Sequence, residues 1–137
     1  MTLFTKRACD AQVLVCALGC CCGRTDRNKP PVPVDYLKRE WKARRLNPRV
    51  QLTMTGCLGP CDLVNVVGIL SAEGMTWLGG LTEPWHFEAL IDWATAVHTA
   101  GNPLPLPASL APHRLSRFPT LSSPPPAPPV PVTSDAA

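Results

Sequence analysis

Eleven of the chain's 17 prolines lie after Gly101, and seven of its eight aromatic residues lie before it. Proline fixes one backbone dihedral and removes a hydrogen-bond donor, and a segment poor in large apolar side chains cannot offset the entropy lost on ordering. This division predicts a folded domain over residues 1–101 and a disordered, proline-rich C-terminal tail over residues 102–137. A domain of about 100 residues folds alone, with limited reserve.

Within the folded part the apolar period changes along the chain. Residues 11–15, with only Gln12 polar, read as a short strand that ends at Cys16 and leads into the Gly and Cys turn at 19–23. A polar, proline-containing loop over 24–33 follows. Val34, Leu37 and Trp41 then fall at helical intervals among Lys38, Arg39, Glu40, Lys42 and Arg45, which predicts an amphipathic helix stopped by Asn47 and Pro48. Val50, Leu52 and Met54 alternate with polar residues, the period of a half-buried strand. After the loop at 56–62, the apolar run 64–70 predicts a buried strand, and residues 75–78 its hairpin partner. A second helix starts near Thr82, buries Phe87, Leu90, Ile91, Ala94 and Val97, and stops at Gly101. The order β-α-β-β-β-α predicts the α/β class: an open sheet of about four strands flanked by two helices.

The net charge of +3 hides an asymmetry, because residues 1–50 carry +7 and the remainder carries −4. Such a dipolar chain is suited to orienting on an acidic partner. A nucleic-acid role is not expected, since no helix-turn-helix signal, zinc-finger spacing or array of stacking aromatics accompanies the basic half. No stretch approaches the roughly 20 apolar residues of a membrane span, and the run at 13–18 is too short for a leader core. No membrane association is therefore expected.

Seven cysteines, at 9, 16, 20, 21, 22, 57 and 61, demand a chemical reason. Secreted disulfide scaffolds favour an even count with a leader, so the reducing cytoplasm is the expected location, and there clustered cysteines serve metal or redox chemistry. Cys57-Leu58-Gly59-Pro60-Cys61 forms one C-x3-C pair, and Cys16 forms C-x4-C with Cys21 or C-x3-C with Cys20. No C-x2-C pair exists, which argues against a zinc knuckle and a thioredoxin-type dithiol. Two wider pairs, about 35 residues apart, suit a 2Fe-2S cluster, which needs four thiolates. Neighbouring side chains diverge, so Cys20, Cys21 and Cys22 are not expected to bind one cluster together; Cys9 lies outside both loops.

The pattern Cys16-x4-Cys21, 35 residues, then Cys57-Leu-Gly-Pro-Cys61-Asp resembles the thioredoxin-like 2Fe-2S ferredoxins and the homologous small iron-sulfur subunit of respiratory complex I. The resemblance spans about residues 10–99. It implies a thioredoxin-like fold, a 2Fe-2S cofactor held by Cys16, Cys21, Cys57 and Cys61, and electron transfer rather than enzyme catalysis, with a place as a subunit of a larger oxidoreductase left open. Cys20-Cys21-Cys22-Gly23-Arg24 and residues 56–65 also look like small stand-alone ferredoxins often encoded beside cobalamin-biosynthesis genes, which implies a link to that pathway. The triple cysteine departs from the family, so Cys20 and Cys22 stay open as replacements for Cys21.

The expected partner is a redox protein with an acidic docking face, met by Lys38, Lys42 and Arg45; a homodimer is left open. The alternative is a thioredoxin-like module that binds zinc or senses redox state without carrying electrons. His86, His98 and His113 lie outside the cysteine loops and are not expected to ligate, and the four tryptophans are read as packing. No catalytic triad, phosphate loop or paired catalytic carboxylate is recognisable.

Overall fold

The computed structural model describes residues 1–118. Seven elements follow in order: β1 (Ala11–Cys16), α1 (Val34–Ala43), β2 (Val50–Thr55), β3 (Val67–Ser71), β4 (Gly74–Leu78), α2 (Pro84–Ala100) and β5 (Arg114–Leu115). The sheet order is β2-β1-β3-β4-β5. β1 and β2 run parallel, with Ala11 opposite Val50 and Cys16 opposite Thr55, while β3 is antiparallel to both β1 and β4. A β-α-β unit followed by β-β-α is the thioredoxin-like arrangement that the cysteine pattern implied. Because β1 and β2 are parallel, their ends deliver the first and second cysteine loops to the same edge of the sheet.

One face of the sheet carries the core. Ala11, Val13 and Val15 of β1 and Val67 and Ile69 of β3 join Leu37 and Trp41 of α1 and Phe87, Leu90, Ile91, Ala94 and Val97 of α2 in a single apolar cluster. Burying each such large side chain is worth about 1.5–3 kcal/mol. Trp41 Nε1 donates to Val50 O at 2.8 Å, which seats α1 on β2. Arg44 bridges the helices, reaching Glu40 at 3.2 Å and Asp92 at 3.1 Å. Gly101 caps α2, its N–H donating to Val97 O at 2.8 Å.

Three expectations need correction. α1 ends at Ala43, before the Asn47 and Pro48 stop, because the Leu46 N–H turns back to Trp41 O at 3.1 Å and buries Leu46. β3 begins at Val67 rather than Val64, since Asn65 is drawn out of the strand to serve the neighbouring loops. The third concerns the expected boundary at 101. Residues 102–118 do not form a disordered tail: Trp93 Nε1 donates to Leu104 O at 3.0 Å, Leu110 is fully buried, and β5 pairs with β4 as a fifth strand. Proline spacing concealed four leucines, at 104, 106, 110 and 115, and a two-residue edge strand needs few donors. The expectation for the rest of the tail lies outside the described residues.

Candidate metal centre

The first loop leaves β1 at Cys16, where the Ala17 and Leu18 N–H groups both donate to Thr55 O at 3.0 Å. It then presses against the second loop. A β-carbon on Gly19 would sit 2.7 Å from the Cys57 backbone nitrogen, so only glycine allows the two loops to touch at this point. Arg24 Nη1 donates to Gly19 O at 3.4 Å and Arg27 Nη1 to Cys20 O at 3.3 Å, fastening the loop from within. Arg24 is also paired with Asp26 at 2.7 Å, and the guanidinium holds that carboxyl down at about 2.

Asn65 joins the loops to the rest of the fold. Only 1% exposed, it accepts from Gly23 N at 3.1 Å and donates to Pro31 O and Leu81 O, both at 3.0 Å. Sequence reasoning missed it. The available signal was one amide interrupting the run Val64-Asn65-Val66-Val67, since a buried polar side chain must find partners.

The cysteines separate into two groups. Cys20 and Cys21 Sγ lie 3.5 Å apart on the first loop, and Cys57 and Cys61 Sγ lie 3.2 Å apart on the second. The two pairs meet, because the sulfurs of Cys20, Cys21 and Cys61 lie within 4.8 Å of one another. Cys16 and Cys22 are 3% and 1% exposed and pack instead with Val66, beside Val32, Leu58, Val64 and Trp77. Of the four residues named from the sequence, Cys21, Cys57 and Cys61 are therefore brought together. Cys16 is held below them, and Cys20 occupies the group.

The thiols influence one another. Cys61 is pushed up to about 12 by its hydrogen bonds to Cys57 and then Cys21, whereas the hydrogen bond from Cys21, with help from Arg27, lowers Cys20. Burial, followed by the Cys16 thiol, pushes Cys22 up to about 12. Neighbouring thiols therefore shift Cys20 and Cys61 in opposite directions.

Two further features suit a group that carries sulfur acceptors. Trp77 packs against the Cys16 and Cys22 cluster, and among the described residues its buried indole N–H has no partner. Gly59, at φ +121°, lets the second loop turn between its two cysteines. Trp77 was read only as packing, and nothing local in the sequence marks it otherwise.

The remaining candidates lie elsewhere. His86 Nδ1 accepts from Glu83 N at 3.0 Å, His113 Nδ1 donates to Gly79 O at 2.9 Å, and the two rings stand 4.3 Å apart near the start of α2. Lys38, Lys42 and Arg45 line a groove with Trp41, Asn47 and Leu52. Because α1 runs back along the sheet towards the start of β2, this basic face extends away from the thiols. Cys9 is exposed and apart from both groups. Among the described residues no helix is long and apolar enough to cross a membrane.

No family model matches the chain, and no curated protein matches it. Among solved structures it is similar to the wild-type thioredoxin-like 2Fe-2S ferredoxin from Aquifex aeolicus, at 18% identity over 80% of this chain and 100% of that chain, with a TM-score of 0.48.

Proposed function

We propose that this protein is a one-electron carrier that binds a 2Fe-2S cluster through four cysteine thiolates and docks transiently on a redox partner. The observation that carries the reading is the pair of pairs: Cys20 with Cys21 and Cys57 with Cys61, on two loops that the parallel strands bring together. Two thiolates for each iron is the requirement of such a cluster. Cys21, Cys57 and Cys61 are the ligands on which pattern and geometry agree; the fourth is Cys16 by sequence pattern and Cys20 by geometry.

When bound, the cluster supplies a site that accepts and returns one electron. The chain's residues do the rest. The thiolates hold it, while Trp77, Leu58 and Val64 pack around the buried Cys16 and Cys22, and the indole N–H without a partner among the described residues is a candidate donor to sulfur. No bond in the polypeptide is made or broken, so the role is that of an electron-transfer protein rather than an enzyme.

The partner is proposed to carry an acidic face and to meet the thiol end, where Arg27 and Arg117 are exposed. Small redox interfaces rely on such steering. Kinship with the complex I subunit and a place in cobalamin biosynthesis rest on the cysteine pattern, and a cytoplasmic location on cysteine usage.

The experiment is spectroscopic. Protein purified without oxygen should be red-brown, hold about two irons and two sulfides per chain, and give a spin signal when reduced. A second reading has its own support, since Cys20, Cys21 and Cys61 within 4.8 Å, with Cys57 3.2 Å from Cys61, also suit one tetrahedral zinc ion. Colourless protein with stoichiometric zinc would establish that reading and remove the ferredoxin one. Replacing Cys16 and Cys20 separately by serine identifies the fourth ligand by which change lowers the bound iron more.

A further inference from the structure

The segment that returns after α2 ends against the second cysteine loop. β5 sets Leu115 opposite Trp77, and two residues later the Arg117 guanidinium lies over the indole, 5.3 Å from the ring centre. Phe118 meets the same ring edge-on at 6.3 Å. The guanidinium also fills the space where a side chain on Gly59 would stand, midway between Cys57 and Cys61. Trp77 and Gly59 thus fix the cation at the loop that carries half of the thiol group.

Among the described residues the Arg117 charge has no carboxylate partner, whereas Arg24, which donates to Gly19 O in the first loop, is paired with Asp26. We propose that Arg117 is an electrostatic tuning residue: a charge delivered from outside the expected domain that favours the reduced, more negative state of the cysteine site and thereby raises its reduction potential. The inference rests on the cluster reading above. Reduction takes one electron from an external reductant and adds one negative charge to the site, with no proton or leaving group required. A nearby fixed cation stabilises that added charge by Coulomb attraction, and because Arg117 is exposed the effect weakens as salt screens it.

The test uses the full-length, cluster-loaded protein and the series Arg117→Lys, Arg117→Gln and Arg117→Glu. Circular dichroism and iron content confirm that each variant is folded and loaded. The midpoint potential is then read from absorbance during titration with dithionite. The expected order is Arg above Lys, Lys above Gln, and Gln above Glu. Charge reversal should lower the reduction equilibrium about tenfold, equivalent to about 59 mV for a one-electron couple. The spread should contract in about 1 M salt, where the screening length is about 3 Å.

A potential that does not move across the loaded series overturns the tuning role and leaves the cluster reading intact. Equal shifts for Lys and Gln also overturn it, because packing on Trp77 would then be the cause rather than charge. Protein without iron overturns the cluster reading, and the tuning role with it.

Discussion

The first cysteine loop is fastened by nearby arginines in addition to its bonds to Thr55 and Asn65, whereas the second is covered by a segment that returns from far along the chain. In the first, Arg24 and Arg27 reach back to Gly19 O and Cys20 O, and Arg24 N–H donates to Cys21 O at 3.1 Å. In the second, Gly80 N–H donates to Leu63 O at 2.8 Å, and the returning C-terminal segment packs Leu115 near Gly79 and Arg117 against Gly59. The loops differ equally in their thiols. Cys20, Cys21 and Cys22 follow Cys16 closely, but Cys57 and Cys61 stand alone on the other side. The first loop is rich in alternatives and the second has none, so the second should be the more sensitive to change.

Cysteine replacement tests that asymmetry with the largest effect. Cys57→Ser or Cys61→Ser should abolish bound iron, measured by iron analysis and visible absorbance. Cys20→Ser should leave partial occupancy, because other thiols lie close by. Equal and complete losses on both sides would remove the asymmetry.

Next comes the cover of the second loop. Leu110 anchors the returning segment and is fully buried, so Leu110→Ala should cost about 3 kcal/mol in urea unfolding. A cost near zero would restore the expectation that the domain ends at 101. The bond linking the first loop to distant chain comes third. Asn65→Ala leaves Gly23 N–H, Pro31 O and Leu81 O without their partner and should cost about 2 kcal/mol. Faster hydrogen exchange at Gly23 would locate the damage there.

The smallest effect concerns pH at the base of the returning segment. Burial, followed by the neighbouring His113, lowers His86 from its ordinary value of 6.5. Its Nδ1 accepts from Glu83 N, so the neutral ring is the form the fold uses. The unfolded chain therefore takes up the proton first as pH falls. Stability contributed by neutral His86 is complete above 6.5 and declines as pH drops below that value. His86→Gln should flatten this part of the stability profile, as measured by thermal unfolding from pH 7.5 down to about 5.

Much of the fold was legible because hydrophobic period reports local geometry. The alternation in 50–55 and the helical spacing of Phe87, Leu90, Ile91, Ala94 and Val97 each match the element found. Asn65 was hidden because its meaning depends on Gly23, Pro31 and Leu81, which are distant in sequence. The 102–118 segment was misread because its composition resembles that of a tail, while its four leucines have value only against a surface supplied by α2 and the sheet. Arg117 carried no signal at all, since an arginine in a proline-rich stretch looks like any solvated charge.

Amino-acid order alone determined that the chain is α/β, that two cysteine loops follow its first two predicted strands, and that their thiols are too many and too patterned to be incidental. Period, turn residues and spacing are local quantities, and local quantities can be read along a line. Which thiols meet, which two are buried, and which cation stands beside the second loop were decided only by tertiary structure. Two parallel strands bring Cys57 against Gly19, Cys16 falls on the buried side of the turn that follows it, and a fifth strand carries Arg117 to Gly59. Distances between residues remote in sequence come into existence only when the chain closes on itself.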